Sequence, residues 1–113
     1  MSETQNDPVL ERIDGIVKGS PVVLFMKGTP NFPMCGFSAR VAQVLAQIGT
    51  PYQAVNVLAD PEIREGIKAY GNWPTIPQLY VKGELIGGCD ITLDMFQTGE
   101  LQPLLQQAAG ADA

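Results

Sequence analysis

Residues 22–38 read Val22-Val23-Leu24-Phe25-Met26-Lys27-Gly28-Thr29-Pro30-Asn31-Phe32-Pro33-Met34-Cys35-Gly36-Phe37-Ser38, and the order of features in this stretch decides the fold. The five apolar residues at its start fit a strand buried on both faces. Lys27 to Pro33, with one glycine and two prolines, reads as a loop. Beyond Cys35, the residues Val41, Val44, Leu45 and Ile48 fall on one face of a helix, and Gly49 is placed to end it. Tyr52 to Val57 is rich in β-formers and reads as a second strand. Strand, helix and strand in this order imply a parallel pair joined by a right-handed crossover.

Working outward, Asp7-Pro8 is placed to start a helix, with Asp7 as N-cap and Pro8 in the first turn. Val9, Ile13, Ile16 and Val17 form its apolar face, and Gly19-Ser20-Pro21 ends it. Downstream, Asp60-Pro61 opens a helix that runs through Tyr70 and stops at Gly71. Asn72 to Pro77 is an extended, proline-bounded loop. Gln78–Val81 and Glu84–Ile86, joined by Lys82-Gly83, form a β-hairpin. Gly87-Gly88 leads into a helix starting near Asp90, with Asp90 as its N-cap. A last helix carries Leu101, Leu104, Leu105 and Ala108, and tolerates Pro103 in its first turn. The expected class is α/β, a single four-stranded mixed sheet with helices on both faces. One domain spans 1–113, with its structured core over about residues 8–106 and mobile termini.

Composition narrows the chemistry. A chain of 113 residues with 45% apolar and 17% charged residues builds one globular core. The net charge of −5 argues against non-specific nucleic-acid binding and against a basic membrane-surface helix. No apolar run reaches the roughly 18 residues of a membrane span. There is no histidine, which removes Ser–His and Cys–His catalysis and His-ligated zinc together. Two widely separated cysteines make neither a disulfide scaffold nor a zinc knuckle. Met1–Asp7 has the features of neither a secretory signal nor a transit peptide. A cytoplasmic location is expected, with the mitochondrial matrix or a plastid open to a chain whose transit peptide has been removed.

Cys35 is the chemical centre. A thiol at a helix N-terminus meets unpaired N–H groups and a partial positive charge, which favour the thiolate, the form that acts as nucleophile and metal ligand. Lys27 at the end of the first strand adds positive charge. The plain alternative is an inert buried cysteine. Ser38 stands where a second cysteine would close a Cys-x-x-Cys pair, so Cys35 must find its sulfur or metal partner outside the chain. Otherwise Ser38 is a first-turn serine satisfying a backbone group. Three more stretches stand out. Trp73-Pro74-Thr75-Ile76-Pro77 is a turn or a docking edge. Gly87-Gly88-Cys89-Asp90 allows close approach of a ligand to a helix N-terminus, or is a core cysteine beside a cap. Arg64 is a ligand cation or part of a solvated helix face.

Together, Phe25-Met26-Lys27-Gly28-Thr29-Pro30, Cys35-Gly36-Phe37-Ser38, Trp73-Pro74-Thr75-Ile76-Pro77-Gln78-Leu79-Tyr80 and Gly87-Gly88-Cys89-Asp90 resemble the monothiol glutaredoxins of the Cys-Gly-Phe-Ser type in their single-domain form. The resemblance implies the thioredoxin fold, with a cis Ile76–Pro77 bond. It implies a glutathione site in which Lys27 and Arg64 meet the glycyl carboxylate, Ile76 pairs by its backbone with the cysteinyl part, and Cys89 and Asp90 hold the γ-glutamyl end. It further implies a [2Fe–2S] cluster bridged across a homodimer, with Cys35 and one glutathione sulfur from each subunit as ligands. Cluster assembly, storage or transfer is then the expected role, with client proteins and a BolA-family protein as partners. The alternative is a glutathione-dependent thiol–disulfide oxidoreductase with Cys35 as nucleophile. The resemblance favours the carrier reading, with weak or no oxidoreductase activity, because the Cys-Gly-Phe-Ser group is generally a poor oxidoreductase and, by the same resemblance, the Gly28–Pro33 loop is longer than in dithiol relatives.

Overall fold

The structure is a computed structural model and describes residues 7–111. Residues 1–6 and 112–113, the outer parts of the termini expected to be mobile, lie outside the described residues, whereas residues 107–111, expected beyond the structured core, continue the last helix. The elements are α1 (Pro8–Gly19), β1 (Val22–Met26), α2 (Gly36–Ile48), β2 (Gln53–Asn56), a 3-10 turn (Val57–Ala59), α3 (Pro61–Gly71), β3 (Gln78–Val81), β4 (Glu84–Gly87), α4 (Cys89–Thr98) and α5 (Leu101–Ala111). The strands lie in the order β2-β1-β3-β4. β1 pairs in parallel with β2, while β1–β3 and β3–β4 are antiparallel. This is the thioredoxin fold.

β1 is buried along its whole length, and its alternating side chains feed two separate cores. Val23 and Phe25 face α1 and α3, among Ile13, Val17, Ile63 and Ile67. Val22, Leu24 and Met26 face the other way, into Val41 and Leu45 of α2 and Leu101 and Leu105 of α5. Asp7 caps α1 by accepting from the N–H groups of Val9 and Leu10. Asp60 caps α3 in the same way through Glu62 and Ile63. Its carboxylate also meets Arg12 at 2.8 Å, which ties α1 to α3 and holds the Asp60 carboxyl below its ordinary pKa.

Several boundaries differ from the sequence reading. β2 ends at Asn56, and Val57 turns inward as a fully buried residue of the 3-10 turn. The side chain of Asn56 causes this, because its Oδ1 accepts from the Leu58 N–H at 3.0 Å. Gly71 does not stop α3. It remains helical, and Asn72 takes the left-handed conformation at φ 50°. The absence of a side chain at Gly71 serves a close approach instead: a Cβ there would strike the Tyr80 hydroxyl. α4 begins at Cys89, its N-cap is Gly88, and Asp90 makes no capping bond. The hairpin turns at Lys82 and Gly83, both at positive φ (53° and 84°), as a tight two-residue connection requires. Among the described residues no helix is long and apolar enough to cross a membrane.

Leu105 is 1% exposed in the core beneath β1 and α2. Leu105→Ala is therefore expected to cost about 2–5 kcal/mol. The urea midpoint should fall with the slope unchanged.

Candidate functional site

Four elements converge on a cavity of about 500 Å³. Lys27, at the end of β1, forms one side. Its backbone N–H donates to Ser38 Oγ at 3.0 Å, so the strand end is bonded directly to the first turn of α2. Ser38 is fully buried, and the backbone group it satisfies belongs to the neighbouring strand, not to its own helix. Between them, the loop closes on itself. Met34 N–H donates to the Lys27 carbonyl at 2.9 Å, and Gly28 N–H donates to Asn56 Oδ1 at 2.9 Å. This ordered loop turns Phe32 and Met34 outward, at 76% and 69% exposure.

Cys35 occupies the N-cap position of α2. Its thiol pKa is lowered, first by the Ser38 N–H against the opposing effect of burial, then by the Phe37 N–H, the Lys27 charge and the Ser38 hydroxyl. The hydroxyl accepts from Lys27 and has its own proton left to donate to the sulfur. Cys89 differs sharply. It is 8% exposed, and burial followed by the neighbouring Asp90 carboxylate pushes its thiol pKa up. Cys89 also belongs to the core beneath α2, so its place as a core residue and its place at the cavity are both real.

Arg64 enters the cavity from α3, and Ile76 from the loop before β3. The Ile76–Pro77 bond is cis, as expected. Among the described residues the backbone of Ile76 makes no hydrogen bond to another protein group. Opposite stand Cys89 and Asp90 at the start of α4. No side chain caps this helix, so its first N–H groups have no side-chain acceptor. All six residues singled out in the sequence, Lys27, Cys35, Arg64, Ile76, Cys89 and Asp90, thus line one cavity.

Sequence reasoning missed Lys68, which lines the same cavity one turn after Arg64. The i, i+4 spacing of two cations on one helix was the available signal. It also missed Gln78, which is fully buried behind the site. Chemically the cavity offers one activated thiol, three cations, an unpaired backbone segment at Ile76 and a helix N-terminus. That set fits a small anionic peptide carrying a sulfur. Among the described residues no three Cys, Asp or Glu side chains converge to hold a metal ion.

Comparison with known proteins agrees with the geometry. A family profile described as Glutaredoxin matches residues 22–86. The chain is 52% identical over 103 residues to a Synechocystis sp. protein named Uncharacterized monothiol glutaredoxin ycf64-like, covering 91% of this chain and 96% of the relative. Reduced apo GrxS14 of poplar superposes with a TM-score of 0.74 at 48% identity, covering 87% of this chain and 90% of that one. A buckwheat glutaredoxin solved as its glutathione complex superposes with a TM-score of 0.80 at 26% identity, covering 96% of each chain.

The two thiols should separate cleanly by reactivity. Iodoacetamide is expected to alkylate Cys35 with a pH midpoint below that of a free thiol, and to spare Cys89 until the chain unfolds. Ser38→Ala should raise that midpoint. It should also cost about 1–3 kcal/mol, because the Lys27 N–H loses its acceptor. Peptide mass mapping of alkylated protein across a pH series reads both effects.

Proposed function

The chain belongs to the glutaredoxin family, and on that premise we propose that it binds glutathione in this cavity and carries a [2Fe–2S] cluster between two copies of itself. The observation that carries the reading is the convergence of Lys27, Cys35, Arg64, Ile76, Cys89 and Asp90 on one cavity. Glutathione is an anionic tripeptide with a central sulfur. Lys27 and Arg64 would receive its glycyl carboxylate as charge-assisted pairs. The free backbone edge of Ile76 would pair with the cysteinyl residue, as a strand edge pairs with an extended peptide. The uncapped first turn of α4 would take the γ-glutamyl carboxylate on its N–H groups, and Asp90 the ammonium. The glutathione sulfur then faces Cys35.

A [2Fe–2S] cluster is usually held by four thiolates. One chain supplies the Cys35 thiolate and one bound glutathione supplies a second, so two chains complete the set. The exposed apolar side chains Phe32, Met34 and Phe37 flank Cys35 and suit a surface that meets another protein. A second copy of the chain is the proposed partner, and cluster-accepting clients or a BolA-family protein would approach the same rim. Half of the ligand set is borrowed, which suits a cluster held as cargo for assembly, storage or transfer.

The lowered pKa of the Cys35 thiol favours a second reading, deglutathionylation. Here the Cys35 thiolate attacks the glutathionyl sulfur of a mixed disulfide and releases the client thiolate. A second glutathione thiolate then attacks the Cys35 mixed disulfide, yielding glutathione disulfide and free Cys35.

Anaerobic reconstitution with iron, sulfide and glutathione separates the two readings. The carrier reading expects a brown dimer with visible absorbance, lost in Cys35→Ser and weakened when glutathione is omitted. Colourless protein that rapidly reduces a glutathionylated peptide would instead establish the enzyme. Lys27→Ala or Arg64→Ala should each weaken glutathione binding roughly tenfold to a hundredfold, the worth of one charge-assisted hydrogen bond. Calorimetric titration with S-methylglutathione measures this without thiol exchange.

A further inference from the structure

Gln78 opens β3 directly after the cis bond, and its side chain is fully buried. A buried amide needs partners for two donors and an acceptor. Gln78 Nε2 donates to the carbonyls of Trp73 at 3.1 Å and Thr75 at 3.2 Å. Its Oε1 accepts from the Tyr80 hydroxyl at 2.8 Å. Both loop partners are carbonyls, so the amide nitrogen must face the loop and the amide oxygen must face Tyr80.

Tyr80 is held in turn by its ring. It packs edge-on to Phe25 at 5.7 Å and tilted against Tyr70 at 5.9 Å. Its hydroxyl sits against Gly71, where a Cβ would collide with it and lie 2.9 Å from Gln78 Oε1. Room for the hydroxyl–amide pair thus depends on a glycine in the last turn of α3. The side chain of the same Trp73 reaches α4: its indole nitrogen lies 3.1 Å from where a Cβ on Gly88 would stand. The loop is therefore pinned between the amide of Gln78 and the start of α4.

We propose that Gln78 is a positioning residue: its amide, aimed by Tyr80, sets the pose of the loop at residues 73–76 and so fixes the backbone edge that Ile76 presents to the cavity. The proposal rests on the glutathione reading above for the identity of the ligand. Gln78 does not line the cavity and acts only through the loop. The loop is also anchored by the Ile76 side chain, which packs into the core beside Tyr80 at 7% exposure. The Trp73 N–H donates to the Lys68 carbonyl at 3.0 Å, but the carbonyls of Trp73 and Thr75 depend on the amide. Without those bonds the loop samples other poses, and ligand affinity falls in proportion to the time the competent pose is occupied.

The chain has a single tryptophan, Trp73, and it lies in this loop. Acrylamide quenching of its emission therefore reads loop pose with no ligand present. Calorimetry with S-methylglutathione reads the cavity. Gln78→Met keeps the length of the side chain and removes both donors. Tyr80→Phe removes only the aiming hydroxyl. Leu105→Ala lowers stability from the far core. Gln78→Met is expected to raise the quenching constant at least about twofold and weaken S-methylglutathione about tenfold, since a pose held a tenth of the time binds a tenth as well. Tyr80→Phe should fall between it and wild type, and Leu105→Ala should change neither reading. Wild-type quenching in folded Gln78→Met overturns the proposal, as does an equal change in Leu105→Ala. If Gln78→Met does not fold, Tyr80→Phe decides by the same two readings. If wild type itself fails to bind S-methylglutathione, the glutathione reading falls, and quenching alone decides whether Gln78 sets the loop.

Discussion

The hydrogen bond from the Lys27 N–H to Ser38 Oγ is the constraint on which the rest of the site depends. β1 is the most buried strand and is fixed by packing on both faces. Its last amide continues beyond the sheet and needs an acceptor. Ser38 provides one from the first turn of α2, so the helix N-terminus is registered against the strand end and not left to a mobile loop. That registration sets how far the thiol of Cys35 stands from the cations of the cavity. It leaves the hydroxyl proton free to donate. The serine that replaces a second cysteine is therefore a structural tie as well as a missing thiol.

The two cysteines show how one residue type acquires opposite chemistry from similar positions. Both stand at the start of a helix, and both line the same cavity. Cys35 meets converging N–H groups and a lysine, and its thiolate is favoured. Cys89 is sunk into the core beside the Asp90 carboxylate, and its thiol is favoured. The helix dipole alone does not activate a cysteine. Whether first-turn N–H groups reach the sulfur decides the outcome, together with burial and the sign of the neighbouring side chain.

What was legible in the sequence follows from the range of the interactions that fix each feature. The β1 run, the apolar faces of α1 and α2, and the Lys82-Gly83 turn depend on neighbours in the chain, and their periodicity and turn chemistry revealed them. The six cavity residues came from motif resemblance, and the structure gathers all of them. The errors arose where a distant contact outvoted a local rule. Asp90 has the chemistry of a cap, yet α4 starts earlier, at Cys89, behind a Gly88 that leaves room for Trp73. Gly71 looks like a helix stop, yet it serves the hydroxyl of a residue in β3. The bonds of Gln78 run to Trp73, Thr75 and Tyr80, and no spacing rule predicts them because the fold brings those groups together.

The distribution of charge has a consequence for encounter. Among the described residues, Lys27, Arg64 and Lys68 line one cavity, whereas Asp90 is the one carboxylate that does. The molecule is therefore an acidic body with an electropositive mouth at this cavity. A net negative charge opposes anionic solutes in general while the cations of the cavity attract them locally, which raises productive collision frequency at low ionic strength and loses that advantage as salt screens it. Two such bodies repel in most relative orientations, so mutual approach is least opposed when their mouths turn toward an anionic solute shared between them.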